Sequence, residues 1–158
     1  MSRVQLALNV DDIDGAVTFY SKLFGAEPAK RRPGYANFAI AEPPLKLVLL
    51  ENPGQGGSIN HLGVEVTSTD EVVAATKRFM AEGLETSIED GTTCCYALQD
   101  KVWVRGPGKE PWEVYVVKGD ADRLDKAADS ACCRAQDHAE TSGVDLETTP
   151  MAAKSSCC

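Results

Sequence analysis

The sequence predicts an α+β fold in which two βαβββ modules join their curved sheets into a half-open barrel, with helices outside and polar strand faces lining a cavity. Three observations lead there. Sliding the chain on itself so that Gln5 falls on His61 sets Gln5-Leu6-Ala7-Leu8-Asn9-Val10 over His61-Leu62-Gly63-Val64-Glu65-Val66. In both segments the even positions are apolar and the odd ones polar or small, the period of a strand with one packed and one open face. The same offset lays Asp14 on Asp70, and each opens a stretch of helical period.

The elements follow in order. The first strand leads to a helix carrying Val17, Phe19, Tyr20, Leu23 and Phe24 and closed by Gly25, since glycine accepts the left-handed conformation that ends helices. Strands are expected at Tyr35 to Ala41 and Leu45 to Glu51, with Pro43-Pro44 and Pro53-Gly54 as turns. The second half repeats the plan with the strand at His61 and a helix carrying Val72, Val73, Thr76, Phe79 and Met80, closed by Gly83. Three strands follow at Thr93 to Gln99, Val102 to Arg105 and Trp112 to Val117, the last two separated by Gly106-Pro107-Gly108. The sheet of each half is expected to be antiparallel, and the modules span about residues 3–51 and 59–117.

Length and composition set the frame. The chain has 158 residues, 43% of them hydrophobic, which suits one ordinary domain. Beyond Val117 there is no aromatic residue, and only Leu124, Val144, Leu146 and Met151 are large and apolar. So few cannot offset the entropy of ordering, and residues 118–158 are expected to form a flexible tail after a domain at 1–117, with a short helix at most over Ala121 to Ala131. Lys+Arg 16 against Asp+Glu 24 leaves a formal charge of -8, which repels nucleic acid and anionic lipid. No apolar run reaches membrane-spanning length, and Met1-Ser2-Arg3 runs directly into a strand rather than a leader. A cytoplasmic protein with reduced thiols is expected.

All six cysteines are adjacent pairs: Cys94-Cys95, Cys132-Cys133 and Cys157-Cys158. A bond between neighbours closes a small strained ring, so such a pair serves better as two soft donors to one thiophilic atom, such as Cu(I), Zn, Cd or trivalent arsenic. Only Cys94-Cys95 falls in the predicted domain, near the cavity mouth. In a regular strand its thiols would point to opposite faces, so joint ligation requires a loop or bulge before Tyr96, for which Gly91 and two threonines provide material. The plain alternative is a half-buried thiol pair that fills space. The other two pairs lie on the tail, where they deliver a thiophilic substrate inward, sequester metal, or do neither.

The duplicated βαβββ pattern over residues 3 to 117 resembles the vicinal oxygen chelate superfamily, which includes glyoxalase I, extradiol dioxygenases, fosfomycin-resistance thiol transferases and bleomycin-binding proteins. That resemblance implies metal ligands at Gln5, His61 and Glu113. Strand alternation agrees: Glu113 lies between Trp112 and Val114, Gln5 between Val4 and Leu6, and His61 beside Leu62. The place of a fourth ligand is held by Lys46, which cannot ligate while protonated. Imidazole, carboxylate and amide oxygen resemble the facial triad of non-haem iron(II) oxygenases, with glutamine where histidine is commoner, so Fe(II), Mn(II), Ni(II) and Zn(II) all stay open. Read singly, Gln5 is an ordinary surface glutamine and Glu113 an ordinary rim carboxylate.

Longer segments narrow the resemblance. Pro33-Gly34-Tyr35-Ala36-Asn37-Phe38, Asn60 to Val66, Thr92-Thr93-Cys94-Cys95-Tyr96, Gln99 to Val104 and Pro111-Trp112-Glu113-Val114-Tyr115 are similar to bacterial organoarsenical carbon-arsenic lyases, and also to a cadmium-inducible protein type. The lyase resemblance implies an Fe(II)- and O2-dependent dioxygenase-type enzyme that removes the organic group from small trivalent methyl or aryl arsenicals and releases arsenite. It places iron on Gln5, His61 and Glu113 and arsenic on Cys94 and Cys95. Two rival readings stand beside it: glyoxalase-like or thiol-transfer chemistry at the same metal, which the lysine at 46 disfavours, and metal or metalloid binding without turnover. Tyr35, Tyr96 and Tyr115 are expected to pack rather than act.

Overall fold

The computed structural model describes residues 2–123. Its elements are β1 (Arg3–Val10), α1 (Ile13–Phe24), β2 (Lys30–Arg32), β3 (Tyr35–Ile40), β4 (Leu45–Glu51), β5 (Ile59–Glu65), α2 (Thr69–Ala81), β6 (Ser87–Cys94), β7 (Ala97–Arg105) and β8 (Pro111–Asp120). All eight strands share one curled sheet in the order β2-β3-β4-β1-β5-β8-β7-β6. The halves mirror one another about the β1/β5 seam, as the repeat predicts.

Each helix starts where its sequence supplies a cap. Asp12 accepts from the backbone N–H groups of Asp14 and Gly15 to open α1, and Ser68 with Glu71 forms a reciprocal capping box at α2. Gly25, at φ 62°, ends the first helix in the left-handed conformation. Both helices lie on the convex side. One core packs Ile13 and Val17 of α1 against Phe38, Ile40, Leu47 and Leu49, and another packs Val72 and Ala75 of α2 against Val102 and Val116. The helical stripes are only half covered, for Phe19 and Leu23 of α1 and Met80 of α2 are each more than half exposed.

Four expectations are corrected. The sheets are mixed, because β1 pairs with β4 and β5 with β8 in parallel; a helix crossover followed by two hairpins brings the last strand of each module back beside the first in the same direction. The strand β2 consists of three cationic residues at the sheet edge, with no alternation to reveal it. No strand runs through Thr93 to Gln99: β6 ends at Cys94, the chain reverses at Cys95-Tyr96, and β7 begins at Ala97. Finally, β8 continues past Val117 to Asp120, pairing Leu98 with Gly119 and Ala97 with Asp120. The short helix considered beyond Ala121 and the pairs Cys132-Cys133 and Cys157-Cys158 fall wholly or mainly outside the described residues.

Candidate metal and dithiol site

Sheet register builds the site in two neighbouring rows. In the first, Lys46 of β4 stands beside Gln5 of β1, Gln5 opposite Gly63 of β5, and Gly63 beside Glu113 of β8. Gly63 has no side chain, so those of Gln5 and Glu113 lean over it and meet. A Cβ there would lie 3.0 Å from Glu113 Cγ and 3.4 Å from Gln5 Nε2. His61 sits one step along, opposite Ala7, where the β1/β5 register then shifts. The second row, on the same face, is Arg3, Glu65, Tyr115 and Lys101.

The three expected ligands converge. Gln5 Nε2 lies 2.8 Å from Glu113 Oε1 and 3.0 Å from His61 Nε2, and His61 Nε2 is 3.4 Å from Glu113 Oε1. All three side chains are buried. His61 is oriented from behind: its Nδ1 is 2.7 Å from Asn60 Oδ1, whose amide N–H donates to Asn9 Oδ1, while Asn9 donates to Ser58 Oγ. With the proton on Nδ1, donated to Asn60, the Nε2 lone pair faces Gln5 and Glu113. Such outer hydrogen bonds commonly fix the tautomer of a ligating imidazole.

Lys101 is the residue that sequence reasoning missed. Its ammonium, 1% exposed, lies 2.7 Å from Glu113 Oε2. Burial would raise the Glu113 carboxyl, but the Lys101 charge beside it outweighs burial and holds the group well below the usual carboxylate range. Burial would likewise lower Lys101, yet Glu113, with the nearby Cys94 and Cys95, holds it above the ordinary lysine range. Strand period could have revealed Lys101, since Gln99, Lys101 and Trp103 alternate on the cavity face of β7; the expected break between Gln99 and Val102 hid it. Tyr115 also does more than pack, because its hydroxyl contacts Gln5 and Glu65. Lys46, expected at the place of a fourth ligand, binds Glu65 Oε2 at 3.2 Å; by register the counterpart of Glu113, which pairs with Gly63, is Val48, which pairs with Ala7.

The thiol pair is joined by a different device from the bulge expected at Gly91. The register of β6 and β7 does shift between Glu89 and Thr92, but what brings the sulfurs together is a two-residue hairpin. Cys95 and Tyr96 both adopt left-handed backbone, φ 54° and 59°, with Cys94 paired to Ala97. This is the geometry of a type I′ turn, usually Asn-Gly. A side chain there costs roughly 1–2 kcal/mol per residue, so the surroundings must hold it. They do so at the backbone: Tyr96 N–H donates to Arg123 O, Ala121 N–H and Lys30 Nζ donate to Tyr96 O, and Gln99 Nε2 donates to Cys94 O. The extension of β8 past Val117 is therefore part of the brace. The two Sγ atoms lie 3.1 Å apart, too far for a disulfide and close enough to share one atom.

The three expected ligands and Cys95 of the turn face one cleft, with ≈ 420 Å³ of empty space including its mouth, lined also by Gln99 and Lys46. Cys94 is buried against Ala7, Tyr35, Val48 and Leu50. One imidazole nitrogen, one ionised carboxylate and one amide, aimed at a point left clear by a glycine, can hold a divalent ion on one side and leave the cleft side open. No helix among the described residues is long and apolar enough to cross a membrane.

Several known proteins are similar to this chain. The chain is 64% identical over 138 residues to the trivalent organoarsenical cleaving enzyme of Thermomonospora curvata, a match covering 87% of this chain and 91% of that one. It is 70% identical over 122 residues to the cadmium-induced protein CadI of Mycobacterium tuberculosis, covering 77% of this chain and 80% of the relative. Among solved structures, the Mn(II)-bound glyoxalase from Novosphingobium aromaticivorans superposes with a TM-score of 0.56 at 21% identity, over 78% of this chain and 42% of that one, a likeness of fold. A family model matches residues 3–114, and the chain belongs to the Glyoxalase/Bleomycin resistance protein/Dioxygenase superfamily.

Proposed function

We propose that this protein cleaves the carbon-arsenic bond of small trivalent organoarsenicals, methyl or aryl, and releases inorganic arsenite, as an Fe(II)- and O2-dependent enzyme of the cytoplasm. The observation that carries the proposal is the pair of Cys94 and Cys95 sulfurs, 3.1 Å apart, with Cys95 on the cleft that Gln5, His61 and Glu113 also line and Cys94 buried just behind it. A trivalent organoarsenical has one carbon bond and two exchangeable oxygens. Each thiol replaces one oxygen, so that two As–S bonds form, two As–O bonds break, and two waters leave carrying the thiol protons. The carbon stays attached as the one free arm.

Gln5, His61 and Glu113 would hold the iron, which when bound supplies the one-electron chemistry that lets O2 react. The chain's own part is positioning. Held at two points, the arsenical presents its carbon-arsenic bond within the cleft, which replaces a chance encounter by a nearly unimolecular one. Lys101 keeps Glu113 ionised, and the Asn60–Asn9–Ser58 chain keeps the His61 Nε2 lone pair toward the site. The resemblance to the organoarsenical cleaving enzyme supports this reading.

A second reading has its own support in the CadI resemblance: Cys94 and Cys95 as a soft-metal or metalloid site without turnover. Arsenite release by the wild-type protein separates the two, and Cys94→Ser, with iron content and substrate cleavage measured together, tests the part of the dithiol. Loss of arsenite release with iron retained is expected; undiminished cleavage would remove the dithiol from the reaction.

A further inference from the structure

The hydrogen bonds behind Gln5 do not close. Tyr115 Oη lies 2.5 Å from Gln5 Oε1 and 3.0 Å from Glu65 Oε2. A phenol has one proton, and both neighbours can only accept, because Glu65 is ion-paired at 3.2 Å to Arg3 Nη2 and again to Lys46 Nζ. One of the two contacts must therefore set lone pair against lone pair. Turning the Gln5 amide over removes the conflict: Nε2 then donates to Tyr115 Oη, and Tyr115 gives its proton wholly to Glu65. The turn also replaces Nε2 by Oε1 next to Glu113 Oε1 and His61 Nε2, now 2.8 and 3.0 Å away. Three acceptors then face one point, which is tolerable only around a cation.

We propose that Tyr115, held by Glu65, is a positioning residue that turns the Gln5 amide when metal binds, so that its oxygen faces the metal and its N–H group finds an acceptor behind. Metal-free protein keeps the amide nitrogen inward, bonded to Glu113 and His61. Metal-bound protein keeps the oxygen inward, and the single proton of Tyr115 no longer serves two acceptors. The proposal rests on a metal at Gln5, His61 and Glu113, and is independent of whether arsenicals are cleaved there.

Metal-free full-length protein is titrated under nitrogen with Co(II) alone, followed by its visible absorption, in four forms: wild type, Tyr115→Phe, Gln5→Glu and the double variant. Tyr115→Phe removes an acceptor that only the metal-bound amide needs, and about a 10–100-fold loss of Co(II) affinity is expected, as for other outer-shell partners. In the Gln5→Glu background, where a carboxylate has no orientation to choose, the same change is expected to cost less than about threefold. A merely structural tyrosine would cost both backgrounds alike, and that result, or unchanged affinity in Tyr115→Phe, overturns the proposal. Wild-type protein provides a second reading without dependence on the variant's folding. On loading with Zn(II), nuclear Overhauser contacts of the Gln5 side-chain N–H protons are expected to move from the His61 ring to the Tyr115 ring; contacts that stay on His61 overturn it as well.

Discussion

Gly63→Ala tests the geometry of the metal site with one methyl group. Gly63 is not in a left-handed conformation, so alanine fits the backbone of β5 without strain. The space is the difficulty, because the new Cβ would lie 3.0 Å from Glu113 Cγ, 3.4 Å from Gln5 Nε2 and 3.4 Å from the Glu113 carbonyl oxygen. Ordinary contact starts near 3.4 Å, so the Glu113 side chain must give by a few tenths of an ångström, away from Gln5. Metal–ligand distances tolerate only about ±0.2 Å. Overpacking of this kind typically costs about 1–3 kcal/mol. If the strain falls on the metal-bound arrangement, affinity drops roughly 5–150-fold, each 1.4 kcal/mol being tenfold. Calorimetric titration of metal-free protein with Mn(II) measures it, with a thermal melt by circular dichroism as control. A folded Gly63→Ala protein that binds Mn(II) as tightly as wild type would refute the claim that Gln5 and Glu113 share one ion over Gly63.

Three further outcomes are expected. Lys101→Met leaves Glu113 buried without its cation, which costs about 3–5 kcal/mol and lowers the melting temperature of metal-free protein by roughly 10 °C; because Mn(II) then replaces the missing charge, saturating Mn(II) should raise the melting temperature more in this variant than in wild type, and equal shifts would show that the two cations do not compete. The same pair sets a pH window. Glu113 is lowered, so its contribution is present above its ordinary value of 4.5 and is lost as pH falls through the folded one; Lys101 is raised, so its contribution is complete below 10.5 and is lost as pH rises through the folded one. The stability difference between metal-free wild type and a Lys101→Met/Glu113→Gln double variant should thus stay flat from pH 5 to 10 and change only below about 4.5 and above about 10.5, and a slope near neutral pH would contradict it. Ending the chain after Val117 removes the backbone partners of Tyr96, whereas ending it after Arg123 keeps them. Stoichiometric capture of phenylarsenite by Cys94 and Cys95 should survive the second truncation and weaken in the first, and equal capture by both would show that the brace is dispensable.

Much of this was legible in the residues. Gln5 and His61 fall on one another in a repeat, Glu113 stands between apolar neighbours in a last strand, and a period of two fixes the face of each strand on which they lie before any pairing is known. What escaped the sequence has physical causes. Cys95-Tyr96 carries none of the usual marks of a hairpin turn, since neither residue favours left-handed backbone, and the turn persists because Arg123, Ala121, Lys30 and Gln99 hold it. Two of those four lie beyond the boundary that composition suggests at Val117. Reading a strand through that turn also put Lys101 in a gap rather than on a face. Parallel pairing of β1 with β4 depends on where the chain returns after a crossover, a long-range outcome that local pattern does not encode. Exposure of Phe19 and Leu23 is of the same kind, because helical period defines a stripe and tertiary packing decides how much of it is covered.

Release of inorganic arsenite from methylarsenite or phenylarsenite, followed by chromatography with arsenic detection, bears most directly on the proposed activity. The assay is run with and without added Fe(II), in air and under nitrogen. Arsenite release that needs both Fe(II) and air, and is abolished by Cys94→Ser and by Glu113→Ala, is the expected result. Tight one-to-one binding of the arsenical with no arsenite formed under any of the four conditions would contradict it and leave a thiol-based binding protein in its place.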